Sequence, residues 1–364
     1  MKILLMPNSL KGSMSAGEFC FLAQKHLKNF DISCLPVSDG GDGVLDVFKS
    51  ASPAAKEYKI TAVNAIGQKK SAPFLLLPGG VCVIETAKIC GLGGLKKSQL
   101  NPLGATSYGI GQVVKAAIKK GAKTFYIGLG GVATNDGGAG MAQALGFKLK
   151  GKTGARVAFG AGQLINLASV SKKPAYLKNI KFIGLSDVKN PLLGKNGSAC
   201  VYGPQKGATP GQVLQMERAL TNYARVIKKD LGVNINKPRM GAAGAIAAGL
   251  SGFLGARLKD GSAFILGKTG ARAAVKKCDM LITAEGKLDR QTFFGKAPSA
   301  VCALAKKYKK PVIFICGVSE VKDKALLKRY GITKVIEISR LAKNQQDSIK
   351  NAEKYLSKIF AAIK

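Results

Sequence analysis

Six carboxylates of this chain lie in short loops containing glycine, serine or asparagine, each after an apolar run of strand length. They are Asp39, Asp42, Asp136, Asp187, Glu285 and Asp289. The chain has only 20 Asp and Glu residues against 57 Lys and Arg, so carboxylates kept in such loops stand out. They favour Mg²⁺ ligation, or a base that accepts a hydroxyl proton, with lysines nearby for phosphate charge. Any one of these aspartates is equally well explained by a helix cap or an Asx turn, so the functional interpretation depends on the set.

Glycine-rich segments hold most of these carboxylates and predict close approach of backbone to a ligand. The segments are PNSLKGSMSA (7–16), VSDGGDGV (37–44), GLGGVATNDGGAGMAQALG (128–146) and AEGKLDRQTFFGKAP (284–298). Glycine lets backbone N–H groups reach phosphate oxygens, and a following helix N-terminus adds a favourable dipole. None is a Walker A loop, and GLGGVA (128–133) lacks the third glycine of a dinucleotide fingerprint. The glycines alone therefore indicate phosphate binding of an unspecified kind.

The elements that position these loops alternate between strand and helix at both ends of the chain. KILLMP and ISCLPV are strand-like, with a helical pattern SAGEFCFLAQKHLKNF between them. CDMLITA, PVIFICGV and KVIEI alternate with helical patterns near the other end. This rhythm predicts a doubly wound α/β domain with a largely parallel sheet.

The middle of the chain has a different pattern. KEYKITAVN, APFLLLP and VCVIETA are strand-like runs separated only by turns, which predicts an antiparallel section. Thr209 and Pro210 predict the start of a helix, as a cap and a first-turn proline. We expect an α/β fold with a discontinuous domain from both chain ends (1–70 plus 270–364) and an inserted mixed α/β domain (71–269), with a cleft where they meet.

Composition excludes several functional classes. Hydrophobic residues at 46% predict a compact fold, and no apolar run is long enough to span a membrane. The eight cysteines form no C-x-x-C pair, which predicts reduced, mostly buried thiols in a cytoplasmic protein. The only histidine, His26, lies in a helical pattern away from the glycine-rich loops, which argues against histidine-based triads.

The net charge of +37 is spread along the whole chain. Lysine pairs recur at element ends, without the clustering, arginine content or interleaved aromatics typical of nucleic-acid binding. We interpret the charge as a lysine-rich solvated surface that could also steer anionic substrates, and expect no nucleic-acid partner.

Five long segments, in order and spacing, resemble the bacterial glycerate kinase family that makes 2-phosphoglycerate. They are KILLMPNSLKGSMSA, PVSDGGDG, GLGGVATNDGGAGMAQALG, LSDVKNPLLGKNGSACVYGPQKGA and LITAEGKLDRQTFFGKAPSAVCALAKKY. The resemblance covers essentially the whole chain. It implies a two-domain enzyme, with one Rossmann- or flavodoxin-like domain and one inserted domain. The implied reaction transfers the γ-phosphoryl group of ATP to the 2-hydroxyl of D-glycerate with Mg²⁺.

The resemblance also implies roles for individual residues. Asp187 is expected to be the general base, with Lys11 and Asp289 completing the catalytic group. Asp39 and Asp289 are expected to contact the metal or the substrate, and Lys11, Lys206 and Lys296 to supply charge for the phosphates. The remaining expected contacts to substrate or phosphate are Ser13, Asp39, Asp42, Asn135, Asp136, Asn190, Lys206, Glu285 and Lys296. We expect residues 128–146 to line the cleft, with Asn135 and Asp136 facing the ligand on the glycerate side.

Two positions depart from the family pattern, since Ala245 and Ala284 stand where glycine is frequent. Their methyl groups would matter where backbone approaches nucleotide, and would otherwise only lower the entropy of the unfolded chain. Several alternatives stay open at this point: phosphorylation of another small hydroxy acid or sugar, transfer to the 3-hydroxyl, and a non-catalytic, basic nucleic-acid-binding protein. The sequence does not set the oligomeric state, and a homodimer is among the open alternatives.

Overall fold

The computed structural model describes residues 1–293 and 295–363. Its strands are β1 (Lys2–Leu5), β2 (Asp31–Cys34), β3 (Lys56–Val63), β4 (Lys69–Leu77), β5 (Val81–Glu85), β6 (Thr124–Gly128), β7 (Leu149–Gly151), β8 (Leu167–Val170), β9 (Lys181–Leu185), β10 (Arg257–Lys259), β11 (Met280–Leu288), β12 (Val312–Ser319) and β13 (Ile332–Glu337). Its α-helices are α1 (Ala16–His26), α2 (Val44–Ala51), α3 (Thr86–Cys90), α4 (Tyr108–Lys119), α5 (Ala139–Ala144), α6 (Ser198–Tyr202), α7 (Pro210–Leu231), α8 (Ile246–Leu254), α9 (Gly261–Lys268), α10 (Ala271–Lys277), α11 (Ala297–Lys307), α12 (Lys324–Arg329), α13 (Gln345–Lys350) and α14 (Ala352–Ala361). No helix among the described residues has the length and apolar character needed to cross a lipid bilayer.

The chain divides into two compact units. Unit 1 contains Met1–Asp39, Gly43–Pro53 and the described part of 260–364, and unit 2 contains Gly40–Asp42 and Ala54–Lys259. The boundaries expected from the sequence are 70/71 and 269/270. Residues 54–70 lie in unit 2 because β3 pairs along its whole length with β4. Residues 260–269 lie in unit 1, where α9 packs against α10 and α11.

Unit 1 is built on a five-stranded sheet in the order β13-β12-β11-β1-β2, and all of its strand pairs are parallel. Successive residues of β1 point to opposite faces, so Ile3 and Leu5 enter one hydrophobic core while Leu4 enters the other. Helices cover both faces, and Phe19 of α1 meets Phe360 of α14 edge to face at 5.2 Å on one of them. The predicted parallel α/β fold is confirmed.

Unit 2 is built on a six-stranded sheet in the order β10-β9-β6-β5-β4-β3. Strands β10, β9, β6 and β5 are parallel, whereas β4 pairs antiparallel with both β5 and β3. The predicted antiparallel section is therefore confirmed as β3 to β5, and it continues directly into the parallel part. A separate antiparallel pair, β7 and β8, completes the strands of the unit.

The longest helix, α7, begins where the sequence predicts. The Thr209 side chain accepts a hydrogen bond from the Gln212 N–H, and Pro210 occupies the first helical position. Met216 and Tyr223 on its inner face are fully buried in the core of unit 2. This packing places the Tyr223 hydroxyl 2.8 Å from the Gly137 carbonyl oxygen, in the glycine-rich segment after β6.

The turn before α8 is strained. Ala243, Gly244 and Ala245 have φ angles of 52°, 61° and 63°, a left-handed run in which only glycine is relaxed. The methyl group of Ala245 therefore does more than restrict the unfolded chain, because the left-handed conformation costs an L-residue about 1–2 kcal/mol. The family's frequent glycine at this position is explained by backbone geometry.

Ala245→Gly should raise the free energy of unfolding by about 0.5–1 kcal/mol, because relief of this strain outweighs the added entropy of the unfolded chain. The matched control is Ala247→Gly inside α8, where the same change should lower it by about 1 kcal/mol or more. Urea unfolding of the three proteins measures both effects. Destabilisation by Ala245→Gly as large as that of the control would contradict the interpretation.

Candidate active site

Loops that follow the parallel strands of unit 2 leave the sheet at one edge. In register, Glu85 of β5 pairs with Gly128 of β6, Gly128 with Leu185 of β9, and Leu185 with Lys259 of β10. These residues end or nearly end their strands, so the loops that follow emerge side by side. In open α/β sheets, ligands bind at this carboxyl edge. The predicted site residues 135, 136, 187 and 190 all belong to these loops.

Asp136 is held at this edge by four hydrogen bonds to its carboxylate. Its Oδ2 atom accepts from the Ser107 N–H at 2.7 Å, the Ser107 hydroxyl at 2.8 Å and the Gly140 N–H at 3.1 Å. Its Oδ1 atom accepts from the Gly138 N–H at 3.1 Å. Burial raises the pKa of the Asp136 carboxyl, and these four donors oppose the rise. This carboxylate was expected to face a ligand. Its hydrogen bonds instead hold the loop after β6 within unit 2.

Close backbone approach at Gly140 explains the glycine there. A Cβ on Gly140 would lie 2.2 Å from the Thr106 hydroxyl oxygen and 2.9 Å from Asp136 Oδ2. No side chain fits in that space, so the N–H of residue 140 can reach the carboxylate only if the residue is glycine.

Asn135 and Lys206 form a second buried pair. Lys206 Nζ donates to Asn135 Oδ1 and to the Thr134 carbonyl oxygen, both at 2.7 Å, and the lysine is only 2% exposed. A Cβ on Gly244 would lie 1.9 Å from that carbonyl oxygen and 2.8 Å from Nζ. Burial lowers the pKa of the Lys206 ammonium to about 7, against the opposing influence of Cys90 and Asp136. Lys206, expected to supply charge to a phosphate, is thus bonded to neutral oxygens of the loop after β6.

The loop after β9 holds Asp187 and Asn190. Asp187 is half-buried. The Asn190 amide donates to the Asn196 carbonyl oxygen at 2.9 Å and accepts from the Tyr202 hydroxyl at 2.8 Å, so both ends of this amide hold the loop. Asn190 therefore has a shaping role here, and Asp187 supplies a carboxylate to the same loop.

Asp42 belongs to the short segment of unit 2 formed by residues 40–42. A Cβ on Gly131 would lie 2.5 Å from Asp42 Oδ1, so this carboxylate rests against the backbone after β6. Asp39 is half-buried at the end of the first segment of unit 1.

A second acidic group lies within unit 1, where β11 ends. Glu285 Oε2 accepts from the Thr292 hydroxyl at 3.0 Å, and its Oε1 lies 3.4 Å from Lys296 Nζ. Burial raises the pKa of the Glu285 carboxyl, while Lys296 and Thr292 oppose the rise. The Thr292 N–H donates to Asp289 Oδ1 at 3.0 Å. Thr292 therefore links two predicted site residues, Glu285 and Asp289, and a third, Lys296, pairs with Glu285.

Lys11 and Ser13 follow β1 in the same unit. A Cβ on Gly286 would lie 3.2 Å from the Lys11 backbone nitrogen, so the loop after β1 runs against β11 beside Glu285. The Lys11 side chain is exposed and open to an anion. The Ser13 hydroxyl donates to the Ile349 carbonyl oxygen at 2.9 Å, which gives it a structural use.

The described residues do not form a cluster of metal-binding side chains. Within residues 1–293 and 295–363 there is no group of three or more His, Cys, Asp or Glu side chains that could hold an ion. Asp289 uses only Oδ1 for hydrogen bonds to described residues, so its Oδ2 could serve as one oxygen ligand. A single carboxylate completed by waters and phosphate oxygens suits Mg²⁺.

Four polar residues of these groups were not predicted from the sequence: Ser107, Thr292, Glu85 and Ser198. The Ser198 carbonyl oxygen accepts a hydrogen bond from the Asn135 amide. The hydroxyl of Ser107 donates a hydrogen bond to Asp136, and the hydroxyl of Thr292 donates one to Glu285. Glu85 is 2% exposed at the end of β5, and a charged residue closing an apolar strand is a signal that could have indicated it. Ser107 had no such signal, because it lies 29 residues from Asp136.

This architecture defines an α/β enzyme whose polar groups gather after parallel strands, and comparison with known proteins identifies the family. The sequence profile of the glycerate kinase family matches residues 3–364. Glycerate 2-kinase of Escherichia coli (strain K12) is 37% identical over 346 residues, which cover 93% of this chain and 90% of the relative. Glycerate kinase of Bacillus subtilis (strain 168) is 36% identical over 366 residues, covering 98% of this chain and 95% of the relative.

A solved structure gives the same result. The crystal structure of a protein described as glycerate kinase 2 from Salmonella typhimurium LT2 matches with a TM-score of 0.82 and 34% identity. The match covers 100% of this chain and 98% of that one. The chain belongs to the glycerate kinase family, and the predicted ATP-dependent kinase is confirmed.

The lowered pKa of Lys206 predicts a pH-dependent stability. Between pH 7 and pH 10.5 the unfolded chain binds the lysine proton and the native state releases it, so this residue makes stability rise with pH. The cost of burying the ammonium is full below pH 7 and is relieved as pH rises. Relative to Lys206→Met, the wild type should therefore gain free energy of unfolding between pH 7 and pH 9, by up to about 1.4 kcal/mol per pH unit.

Urea unfolding of both proteins at several pH values measures this slope. The control is Lys195→Met, which removes an exposed lysine of unit 2 and should give a difference from wild type that stays constant with pH. A constant difference for Lys206→Met as well would contradict a buried, titrating amine.

Proposed function

We propose that this enzyme transfers the γ-phosphoryl group of ATP to the 2-hydroxyl of D-glycerate, giving 2-phosphoglycerate and ADP. The observation that carries the proposal is the gathering of the glycerate kinase signature loops, with their buried Asn135 and Asp136 and the half-buried Asp187, at the carboxyl edge of one parallel sheet. The name of the E. coli relative, glycerate 2-kinase, supports the 2-position. We place this activity in the cytoplasm and expect neither nucleic acid nor membrane as a partner; a homodimer is an alternative to the monomer.

Asp187 is proposed as the general base. Its carboxylate accepts the proton of the 2-hydroxyl, the oxygen forms a bond to the γ-phosphorus, and the bond from that phosphorus to the bridging oxygen of ADP breaks. Lys11 is exposed and Lys296 is one-third exposed, so both can supply charge to the phosphates. The buried Lys206 acts through the loop instead.

Mg²⁺ is proposed as the metal that neutralises phosphate charge when bound. Asp289, through its open Oδ2, and Asp39 are the residues that would hold it. Thr292 forms hydrogen bonds to both Glu285 and Asp289, and the Glu285 carboxylate holds the Lys296 ammonium near these residues. The role of the chain here is to hold charge in place around the transferred group.

Asp187→Asn should lower kcat by about 10²–10⁴-fold, because the amide accepts no proton in the reaction, while the KM for ATP changes little. The matched control is Asp230→Asn, an aspartate of unit 2 at the end of α7, which should retain wild-type kcat. Steady-state kinetics with ADP release as the readout separates the two. Near-normal turnover of Asp187→Asn would remove it as the base.

The reaction itself is tested by product position. Purified protein is incubated with Mg-ATP and D-glycerate, and enolase is then added without phosphoglycerate mutase. Phosphoenolpyruvate forms only from the 2-phosphorylated product. ADP release without phosphoenolpyruvate would point to the 3-hydroxyl, and a panel of hydroxy acids would reveal a different acceptor. Absence of ADP release with every acceptor would contradict the proposed function.

A further inference from the structure

A buried hydroxyl in unit 2 has no hydrogen-bond partner among the described residues. Ser198, the first residue of α6, is fully buried, and its Oγ atom contacts no donor or acceptor among the residues described. Buried polar groups are nearly always bonded, so such an atom points to something that the folded chain does not itself supply. The Ser198 carbonyl oxygen is bonded, to the side chain of Asn135.

The Asn135 amide has a fixed orientation. Lys206 Nζ donates to the Thr134 carbonyl oxygen and to Asn135 Oδ1, each 2.7 Å away, so the oxygen of the amide faces this nitrogen. The NH₂ group must then face the opposite way, toward Ser198. There it makes one long bond of 3.4 Å to the Ser198 carbonyl oxygen, and its second N–H has no partner in the described part of the chain.

Unused donors of Asn135 and Ser198 therefore lie together on one side of the amide. We propose that Asn135 Nδ2 and Ser198 Oγ donate hydrogen bonds to an anionic oxygen of a bound substrate, and that Lys206 is the positioning residue that keeps the amide in its donating orientation. The ligand is a carboxylate or phosphoryl oxygen, because two adjacent donors at the carboxyl edge of a parallel sheet suit such an atom.

This inference rests on the proposed function for the identity of the acid, but its donor pair can be tested with any acceptor that the enzyme uses. Ser198→Ala removes a hydroxyl that has no partner in the described part of the chain, so the Tm of the variant should equal or exceed that of the wild type. A residue with only a structural role would show the opposite, a lower Tm with unchanged kinetics.

Steady-state kinetics of Ser198→Ala distinguish the two sources of the oxygen. A rise of tenfold or more in KM for D-glycerate, with KM for ATP unchanged, assigns the acid carboxylate. A tenfold or greater fall in kcat, or a rise in KM for ATP, assigns a phosphoryl oxygen. Wild-type values for all three constants would mean that the hydroxyl meets an internal water only, and would overturn the proposal. Ser251→Ala in α8 is the control and should match the wild type.

Variants of Lys206 test its positioning role. This test remains informative if Ser198→Ala folds poorly. Lys206→Met lets the amide turn over and should change the same kinetic constant as Ser198→Ala in the same direction, whereas Lys206→Arg, which still donates, should reverse part of that change. The double variant Lys206→Met with Ser198→Ala should lose no more than the larger single loss, because both act on one oxygen. Fully additive losses would overturn the shared role.

These experiments distinguish failure of the donor pair from failure of the proposed function. If the wild type phosphorylates another acid, the same kinetic comparison is made with that acid, and only the choice of D-glycerate fails. If the wild type turns over no acid, the rise in Tm caused by Mg-ATP and by D-glycerate is compared between wild type and Ser198→Ala. Equal rises in the two proteins would then overturn the donor pair as well.

Discussion

The buried carboxylate of Asp136 is the constraint on which the rest of this site depends. A carboxylate without water is several kcal/mol unfavourable unless donors surround it, and here the donors come from the Ser107 backbone and hydroxyl and from the N–H groups of Gly138 and Gly140. Meeting this requirement fixes the path of the chain from β6 into α5. It also ties that path to the start of α4, at Ser107.

Neighbouring features follow from the fixed path. Residue 140 must be glycine because its Cβ would overlap Thr106, and residue 244 must be glycine because its Cβ would overlap the Thr134 carbonyl oxygen. That carbonyl oxygen then accepts from Lys206, which also binds Asn135. Unit 1 uses the same kind of arrangement on its own, with a half-buried Glu285, a hydroxyl donor in Thr292 and a lysine in Lys296. In both units, a carboxylate held by nearby donors defines a loop after a parallel strand.

The elements were largely predictable from the sequence because they follow local patterns. Apolar runs gave the parallel strands, turn-separated runs gave β3 to β5, and Thr209 with Pro210 gave the start of α7. The expected boundary at 70 falls inside β4, which pairs with β3. The expected boundary at 269 differs because α9 packs against α10 and α11, and composition does not encode that contact. The expected site residues 135, 136, 187 and 190 lie in the loops after β6 and β9.

Side-chain direction was the information that the sequence lacked. Asn135 and Asp136 were expected to face a ligand, yet the Asp136 oxygens are occupied by donors from residues 107, 138 and 140. Lys206 was assigned to phosphate, but its acceptors lie 71 and 72 residues away in the chain. The methyl group of Ala245 was expected to affect either the approach to nucleotide or the unfolded state, because the left-handed φ is visible only in the fold. Each of these depends on long-range contacts that residue spacing does not encode.

Amide hydrogen exchange at Gly138 and Gly140 tests the central claim most directly, because these two N–H groups bind the Asp136 carboxylate. The account predicts that in the native protein they exchange as slowly as amides of the buried strand β6, although they lie in a loop. It also predicts that Asp136→Asn speeds their exchange while the Phe314 amide in unit 1 keeps its protection. Fast exchange of both glycine amides in the wild type, or unchanged exchange in Asp136→Asn, would contradict it.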